Sequence, residues 1–320
     1  MRREKLQNTE LELSCICYGT ANFGEKLTKE EAFLILDAFY EGGGNFIDTA
    51  NIYCRWVPGL TNSSEQYIGE WLKTRNAYNH MVVATKGGHF ELRLPVVSRI
   101  NKEEIKKDID ESLLTLGIDT IDFYWLHRDN PHMEIAEIID IMEEFVKEGK
   151  IRYYGASNYS EQRMEEALHY AKQKGVQGFN AVSNQWSMAS VNPGANGNPD
   201  QTLVIMDDSY YQWHKKTKMT MIPYSSSANG FFQKMEQGLF ISDSVKAAYE
   251  NERNFKIYQD LCKIKEQTGI SVYTLSIAWL LNQPFQVFPV ASVSKIEQLK
   301  DFLAAGEILK DISFGDYGVD

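Results

Sequence analysis

The sequence has no stretch near the roughly 18 consecutive apolar residues that a membrane-spanning helix needs, so no span is expected. Cysteine is scarce. Cys15, Cys17, Cys54 and Cys262 form neither a C-x-x-C pair nor a zinc-like spacing. This argues against a disulfide scaffold and a metal site, and it suits a reduced, cytoplasmic protein. The N-x-S sequons at Asn62 and Asn158 then have no role. The N-terminus, MRREKLQNTELELS, has charge but no apolar run behind it, so a secretory signal is not expected. Neither a G-x-G-x-x-G turn nor a G-x-x-x-x-G-K-[ST] loop occurs, which disfavours a Rossmann dehydrogenase. Positive charge is short as well. Lys and Arg number 33 against 44 Asp and Glu, a formal net charge of −11. That balance argues against nucleic-acid or membrane partners, while a local basic pocket for one phosphate stays open.

What is present is ordinary globular material: 320 residues, 43% hydrophobic and 24% charged, ample for a core. Eight short apolar or β-branched runs read as strands: Leu13–Tyr18, Asn45–Asp48, Met81–Thr85, Ile121–Leu126, Ile151–Ala156, Gly178–Asn184, Thr220–Tyr224 and Gln286–Val290. Cys15 and Cys17 are expected on one face of the first. Amphipathic stretches lie between the runs. One opens with a capping box at Thr28 and Glu31, and another with Asn101 and Glu104 before a stop at Gly117. Strands alternating with helices imply parallel pairing. Filling a single domain over residues 1–320, they predict an α/β fold, the (β/α)8 or TIM barrel, with a doubly wound sheet as the alternative. The longest irregular stretch, SVNPGANGNPD from Ser190 to Asp200, suits a lid.

Active sites of such barrels lie at the C-terminal ends of the strands. The second strand ends in Asp48, with Tyr53 in the loop beyond. The third runs into Lys86 and the fourth into His127. Each alone has a plain structural explanation, as a cap, a solvated cation or a hydrogen-bonding histidine. Four at successive strand ends point to chemistry. A tyrosine with a reference pKa of about 10 is a poor acid at neutral pH, and a neighbouring ammonium lowers it. Lys86 fits that part, with Asp48 to hold it. Tyr53 would then donate a proton to an oxygen gaining charge, and His127 would give that oxygen a second hydrogen bond. No side chain supplies a hydride, so a cofactor is required.

The chain resembles the aldo-keto reductase superfamily over nearly its whole length. The resemblance rests on YGTANFG, NFIDTANIY, SSEQYIGEWL, VATKGG, YWLHRDN, GKIRYYGASNYS, IPYSSSANGFF and PVASVSKIEQLKD, in family order. It implies a (β/α)8 barrel that reduces carbonyls with a nicotinamide cofactor, using Asp48, Tyr53, Lys86 and His127. It further implies that Gly19, Thr20, Ala21 and Asn22 border the cofactor, and that Ser157 and Asn158 bind the carboxamide. Trp186 falls where the family stacks an aromatic on the nicotinamide, with Ser183, or Gln185 nearby, in place of a family Gln. Tyr224, Ser225 and Gly230 fall in the loop over the pyrophosphate. Ser292, Ser294, Lys295 and Gln298 fall at the adenosine end. There Ala291 and Gln298 stand where many members carry cations, and Phe302 where an Asn is frequent. The implied cofactor is NADP(H), with NAD(H) as the alternative.

Trp56–Asn62, Phe23, His89, Phe90 and Trp125 are the candidate walls of the substrate pocket, although Trp125 can instead lie below His127 in the barrel. The expected partner is a small carbonyl or alcohol; the residues leave its identity and the oligomeric state open. Two other readings stand beside the reductase: a cofactor-binding regulatory subunit, implied by some members of the superfamily, and a lyase with Lys86 as a Schiff-base nucleophile.

Overall fold

The computed structural model describes residues 1–92, 97–194, 202–308, 312, 314 and 315. The chain begins with a hairpin, β1 (Arg3–Lys5) paired antiparallel with β2 (Glu12–Ser14). Eight parallel strands follow: β3 (Cys17–Gly19), β4 (Phe46–Asp48), β5 (Val82–Gly87), β6 (Ile121–Leu126), β7 (Ile151–Ser157), β8 (Ala181–Ser183), β9 (Thr220–Met221) and β10 (Val290–Ala291). They lie in chain order around one sheet, with β10 beside β3. The ring closes between β9 and β10 through a bridge of Met221 to Val287 and the bond Val290 N to Pro223 O at 2.9 Å. Sequential order with closure is the (β/α)8 barrel and leaves no place for a doubly wound sheet.

The helices between strands are α1 (Lys29–Glu41), α2 (Ser63–Arg75), α3 (Lys102–Leu116), α4 (Ile135–Lys147), α5 (Glu161–Lys174) and α6 (Asp208–Thr217). After β9 come α7 (Phe231–Glu236), α8 (Asp243–Tyr249), α9 (Glu252–Thr268) and α10 (Val272–Leu281), and α11 (Leu299–Ala305) follows β10. The capping box at Thr28 and Glu31 forms, and Asn101 accepts from Glu104 N. Gly117 ends α3 in the left-handed conformation that glycine adopts without a Cβ clash.

Alternation along the strands sorts the side chains. Cys17, Phe46, Ala84, Phe123, Trp125, Ala181, Ile222 and Phe288 pack inside the barrel. Tyr18, Ile47 and Val83 face the helices in one outer cluster, and Tyr124, Tyr154 and Val182 do so in another. Leu6, Leu11 and Leu13 of the hairpin join the inner cluster and cover one end of the barrel.

Three sequence expectations change. The run Leu13–Tyr18 is not one strand but the end of β2 and the start of β3. Cys15 and Cys17 therefore do not share a face: Cys15 joins the outer cluster and Cys17 the inner one. The last three strands, expected at Gly178–Asn184, Thr220–Tyr224 and Gln286–Val290, are Ala181–Ser183, Thr220–Met221 and Val290–Ala291, with pairing beyond them reduced to isolated bridges of Gln185 to Tyr224 and Met221 to Val287. The lid expected within Ser190–Asp200 lies mostly outside the described residues.

Candidate active site

Counting by twos from the inner layer carries Asp48, Lys86, His127, Ser157 and Ser183 to the same inner side at the strands' C-terminal ends. There a cavity of about 280 Å³ is lined by Asp48, Tyr53, Lys86 and His127, among others. The four residues read from strand ends thus meet in one place.

Lys86 is the hub. Its Nζ contacts Asp48 Oδ2, and it donates to Thr49 O at 2.8 Å and to Tyr53 Oη at 3.1 Å. Burial pulls the ammonium toward its neutral form. The Asp48 carboxylate and Tyr53 more than offset this, so the pKa of Lys86 stands above its ordinary value. Tyr53 departs from expectation. Burial raises its pKa, and Lys86 opposes the rise without cancelling it. The phenol is therefore protonated at neutral pH. The Tyr53 and His127 rings lie 6.0 Å apart, nearly perpendicular. Burial, reinforced by His89, Arg128 and Lys86, holds His127 well below the usual imidazole range, so it is neutral. Among the described residues, its buried Nδ1 has no partner.

Local sequence explains this placement. After Lys86 the chain needs two glycines. A Cβ on Gly87 would collide with Tyr124 Oη and Asp108, and Gly88 has a φ of +72°. The Tyr53 loop is tied to α3 through Arg55, which bonds Asn51 O at 2.9 Å and Glu111 Oε1 at 2.6 Å.

The cofactor positions divide. Gly19, Thr20, Ala21, Ser157, Asn158, Tyr224, Ser225 and Ser292 line the cavity. The Thr20 hydroxyl is spent on Asp48 O and Ser64 Oγ, at 2.9 and 2.7 Å, so only the rest of the residue is left for a ligand. Ser157 Oγ donates to Ser183 O at 2.8 Å. Asn158 Oδ1 accepts from Tyr224 Oη at 2.7 Å, which joins two cofactor candidates directly.

Asn22, Ser183, Trp186, Gly230, Ser294, Lys295 and Gln298 are not on the cavity wall. Asn22 reaches Val293 O at 3.4 Å. Trp186 is the clearest correction. It follows Ser183 by three, so it points outward, where it stacks on Phe285 at 5.8 Å and meets Trp279 at 5.5 Å. Tyr224 is instead the aromatic on the wall beside Ser157 and Asn158. Gln185 is buried with its amide on Tyr249 Oη at 3.2 Å. Gln298 turns its side chain back onto Ser294 N and Lys295 N, at 3.0 and 3.2 Å, so it is engaged in shaping its own turn.

Of the expected substrate walls, Trp56 lies 6.1 Å from Tyr53, and His89 lies 4.8 Å from His127 and 4.2 Å from Phe90. Phe23 does not take part, because it packs on Tyr18 in the outer layer. Trp125 sits below the site in the inner cluster.

Sequence reasoning missed Arg128, Ser227 and Asn229, all on the wall. The last two stood inside a loop already singled out. Arg128 follows His127, so strict alternation would send it outward; only the turn that ends β6 brings it in.

The residues fit a nicotinamide dinucleotide. The cavity runs from the Tyr53–Lys86 pair past Ser157 and Asn158 to Ser225, Ser227 and Asn229. In that loop Ser225, Ala228, Asn229 and Gly230 all take positive φ, a backbone form that makes concave anion sites. No group of three potential metal ligands occurs among the described residues.

Comparison with known proteins agrees with this geometry. The family model for the Aldo/keto reductase family matches residues 15–315. A probable aryl-alcohol dehydrogenase of Saccharomyces cerevisiae is 29% identical over 87% of this chain and 84% of its own length. An NADP(+) aryl-alcohol dehydrogenase of Phanerodontia chrysosporium is 27% identical over 93% and 80%. Norsolorinic acid reductase B of Dothistroma septosporum is 26% identical over 96% and 77%.

Proposed function

The chain belongs to the aldo/keto reductase family, and from that membership we propose that it reduces an aromatic aldehyde or ketone to the alcohol through the residues around Lys86. It is an NADP(H)-dependent oxidoreductase acting on a small carbonyl substrate. The aromatic preference draws on relatives that act on aryl alcohols and on norsolorinic acid, and on the rings of Trp56 and Phe90 beside the site.

One observation carries the reading: a buried lysine, held charged by Asp48, donates to a protonated tyrosine at 3.1 Å. When bound, the cofactor supplies the hydride. Everything else falls to the chain. Tyr53 donates its proton to the carbonyl oxygen as that oxygen gains charge. Lys86 stabilises the phenolate left behind, and Asp48 fixes Lys86. Neutral His127 orients the oxygen by a hydrogen bond without competing for the proton. Ser157, Asn158 and Tyr224 form the bonded surface on which the nicotinamide end rests.

A Schiff-base lyase fits poorly, since a lysine held charged is a weak nucleophile. The Asp–Tyr–Lys–His set also favours turnover over a purely regulatory role. The free thiols, three of them buried, suit a reducing compartment such as the cytoplasm. The test is loss of NADPH absorbance with benzaldehyde, veratraldehyde and acetophenone, each with wild type and Tyr53→Phe. Turnover by the wild type alone supports the reading. Equal rates for both proteins would refute the role of Tyr53, and no turnover with any substrate would refute the aromatic preference.

A further inference from the structure

Proton transfer at this site turns on one ammonium. Lys86 has three protons to donate, and each has an acceptor: the Asp48 carboxylate, Thr49 O and Tyr53 Oη. The direction of the proton on Tyr53 is therefore set by where the other two acceptors stand. Neither of them is held by its strand alone.

Thr49 is the first residue past β4, and its hydroxyl lies 2.8 Å from Ser64 Oγ. Ser64 is the second residue of α2. Its hydroxyl donates to Thr20 O at 3.0 Å and lies 2.7 Å from Thr20 Oγ1. Thr20, just past β3, donates to Asp48 O from both its N and its Oγ1, at 3.0 and 2.9 Å. One serine thus ties together the residues that leave two adjacent strands, one on each side of the Asp48 backbone. The next residue, Glu65, accepts from Thr85 Oγ1 at 2.5 Å, directly ahead of Lys86 in β5.

Thr20, Thr49 and Ser64 are all fully buried. A buried hydroxyl costs stability unless it is bonded, and apolar side chains would fill the same space without that need. Three hydroxyls in one knot, beside a carbonyl that receives a catalytic ammonium, suit the fixing of that carbonyl better than the filling of space. Ser64 is not on the cavity wall, so it acts on the reaction only through its neighbours.

We propose that Ser64 is a positioning residue for proton transfer: through Thr49 it fixes the carbonyl that holds the Lys86 ammonium against the Tyr53 hydroxyl. This rests on the reductase reading and adds a residue to it.

The test measures kcat and KM with NADPH for the best substrate among benzaldehyde, veratraldehyde and acetophenone. Ser64→Ala should lower kcat about tenfold, the scale of a small displacement at a reacting group, and change KM less than about threefold. Thr49→Val loses the hydroxyl at nearly constant volume and should do the same, whereas Thr49→Ser should recover most of the lost rate. In the Lys86→Met background Ser64→Ala should change kcat by less than about twofold, because its effect passes through the ammonium. An unchanged kcat in Ser64→Ala would overturn the proposal. So would a loss that persists in full without Lys86, or a Thr49→Ser variant as slow as Thr49→Val. Loss of folding in both Ser64→Ala and Thr49→Val would assign the knot to stability alone and overturn it too. Absence of turnover by the wild type with all three substrates would instead remove the reductase reading, and this proposal with it.

Discussion

Lys86 Nζ lies 3.1 Å from the Tyr53 hydroxyl and 4.9 Å from the centre of its ring. A cation so placed favours the phenolate over the phenol. Tyr53→Phe should therefore cut kcat by about a thousandfold, within the range for losing a general acid. NADPH affinity, read by fluorescence titration, should change less than threefold, since the lost hydroxyl bonds Lys86 and not the cofactor surface.

Burial holds the Tyr53 pKa above the ordinary 10, with Lys86 pulling against it. The proton needed for reduction is then present throughout the neutral range. The rate of carbonyl reduction should be flat near neutrality and fall only at strongly alkaline pH. Lys86→Met removes the opposing pull, so the alkaline limb should move higher while the rate drops at every pH. A limb moving to lower pH in this variant would contradict the arrangement.

Glu65 on α2 is fully buried, accepting from Thr85 Oγ1 at 2.5 Å and Asn62 Nδ2 at 3.0 Å. Burial pushes its carboxyl up from 4.5 to about 6. Because the folded state binds this proton more tightly than the unfolded chain, stability is greatest below pH 4.5 for this group. It declines as pH rises through about 6. The decline corresponds to about 2 kcal/mol. Urea titrations across that window should show it in the wild type and lose most of it in Glu65→Gln.

Tyr124 Oη is buried and has no partner among the described residues, and it faces Gly87. Tyr124→Phe should raise stability by about 1 kcal/mol, as removal of an unsatisfied hydroxyl does. Gly87→Ala should cost about 1–3 kcal/mol by overpacking against that hydroxyl. The double variant should recover part of the loss, and thermal unfolding of all three proteins measures the coupling.

Trp186 and Tyr224 should separate cleanly. Trp186→Ala opens a void among Phe285, Trp279 and Tyr211 and should cost about 3–5 kcal/mol of stability. Tyr224→Phe removes the bond to Asn158 and should weaken cofactor binding several-fold with little loss of stability. Isothermal titration with NADPH, beside denaturant unfolding, gives both readouts.

The sequence made the barrel and the Asp48, Tyr53, Lys86 and His127 cluster legible because both follow local rules: alternation of elements, and polar residues where strands end. Arg128 was missed and Trp186 misplaced for one reason. Which way a side chain points at the end of a strand depends on where the ladder stops and the turn begins, and a short apolar run does not fix that by itself. The hairpin was hidden likewise, since Leu13–Tyr18 reads as one run although the backbone changes partner near Cys15. Lys295 and Gln298 show another limit. Family position put them near a ligand, whereas Gln298 bonds its own turn.

The barrel joins Cys17 to Val290 and Tyr18 to Ala291 across almost the entire chain. During synthesis on a ribosome, β3 therefore waits for its last neighbour until nearly every other residue has been made. Meanwhile its backbone edge and the apolar Cys17 and Tyr18 stay open to other chains, a condition that favours aggregation. Refolding from denaturant should be slow for the same reason, because the pairing of β3 with β10 spans far more of the sequence than any other strand pairing in the sheet. A circular permutant opened between α10 and β10 would place Val290 ahead of Cys17, some tens of residues away, and shorten that wait.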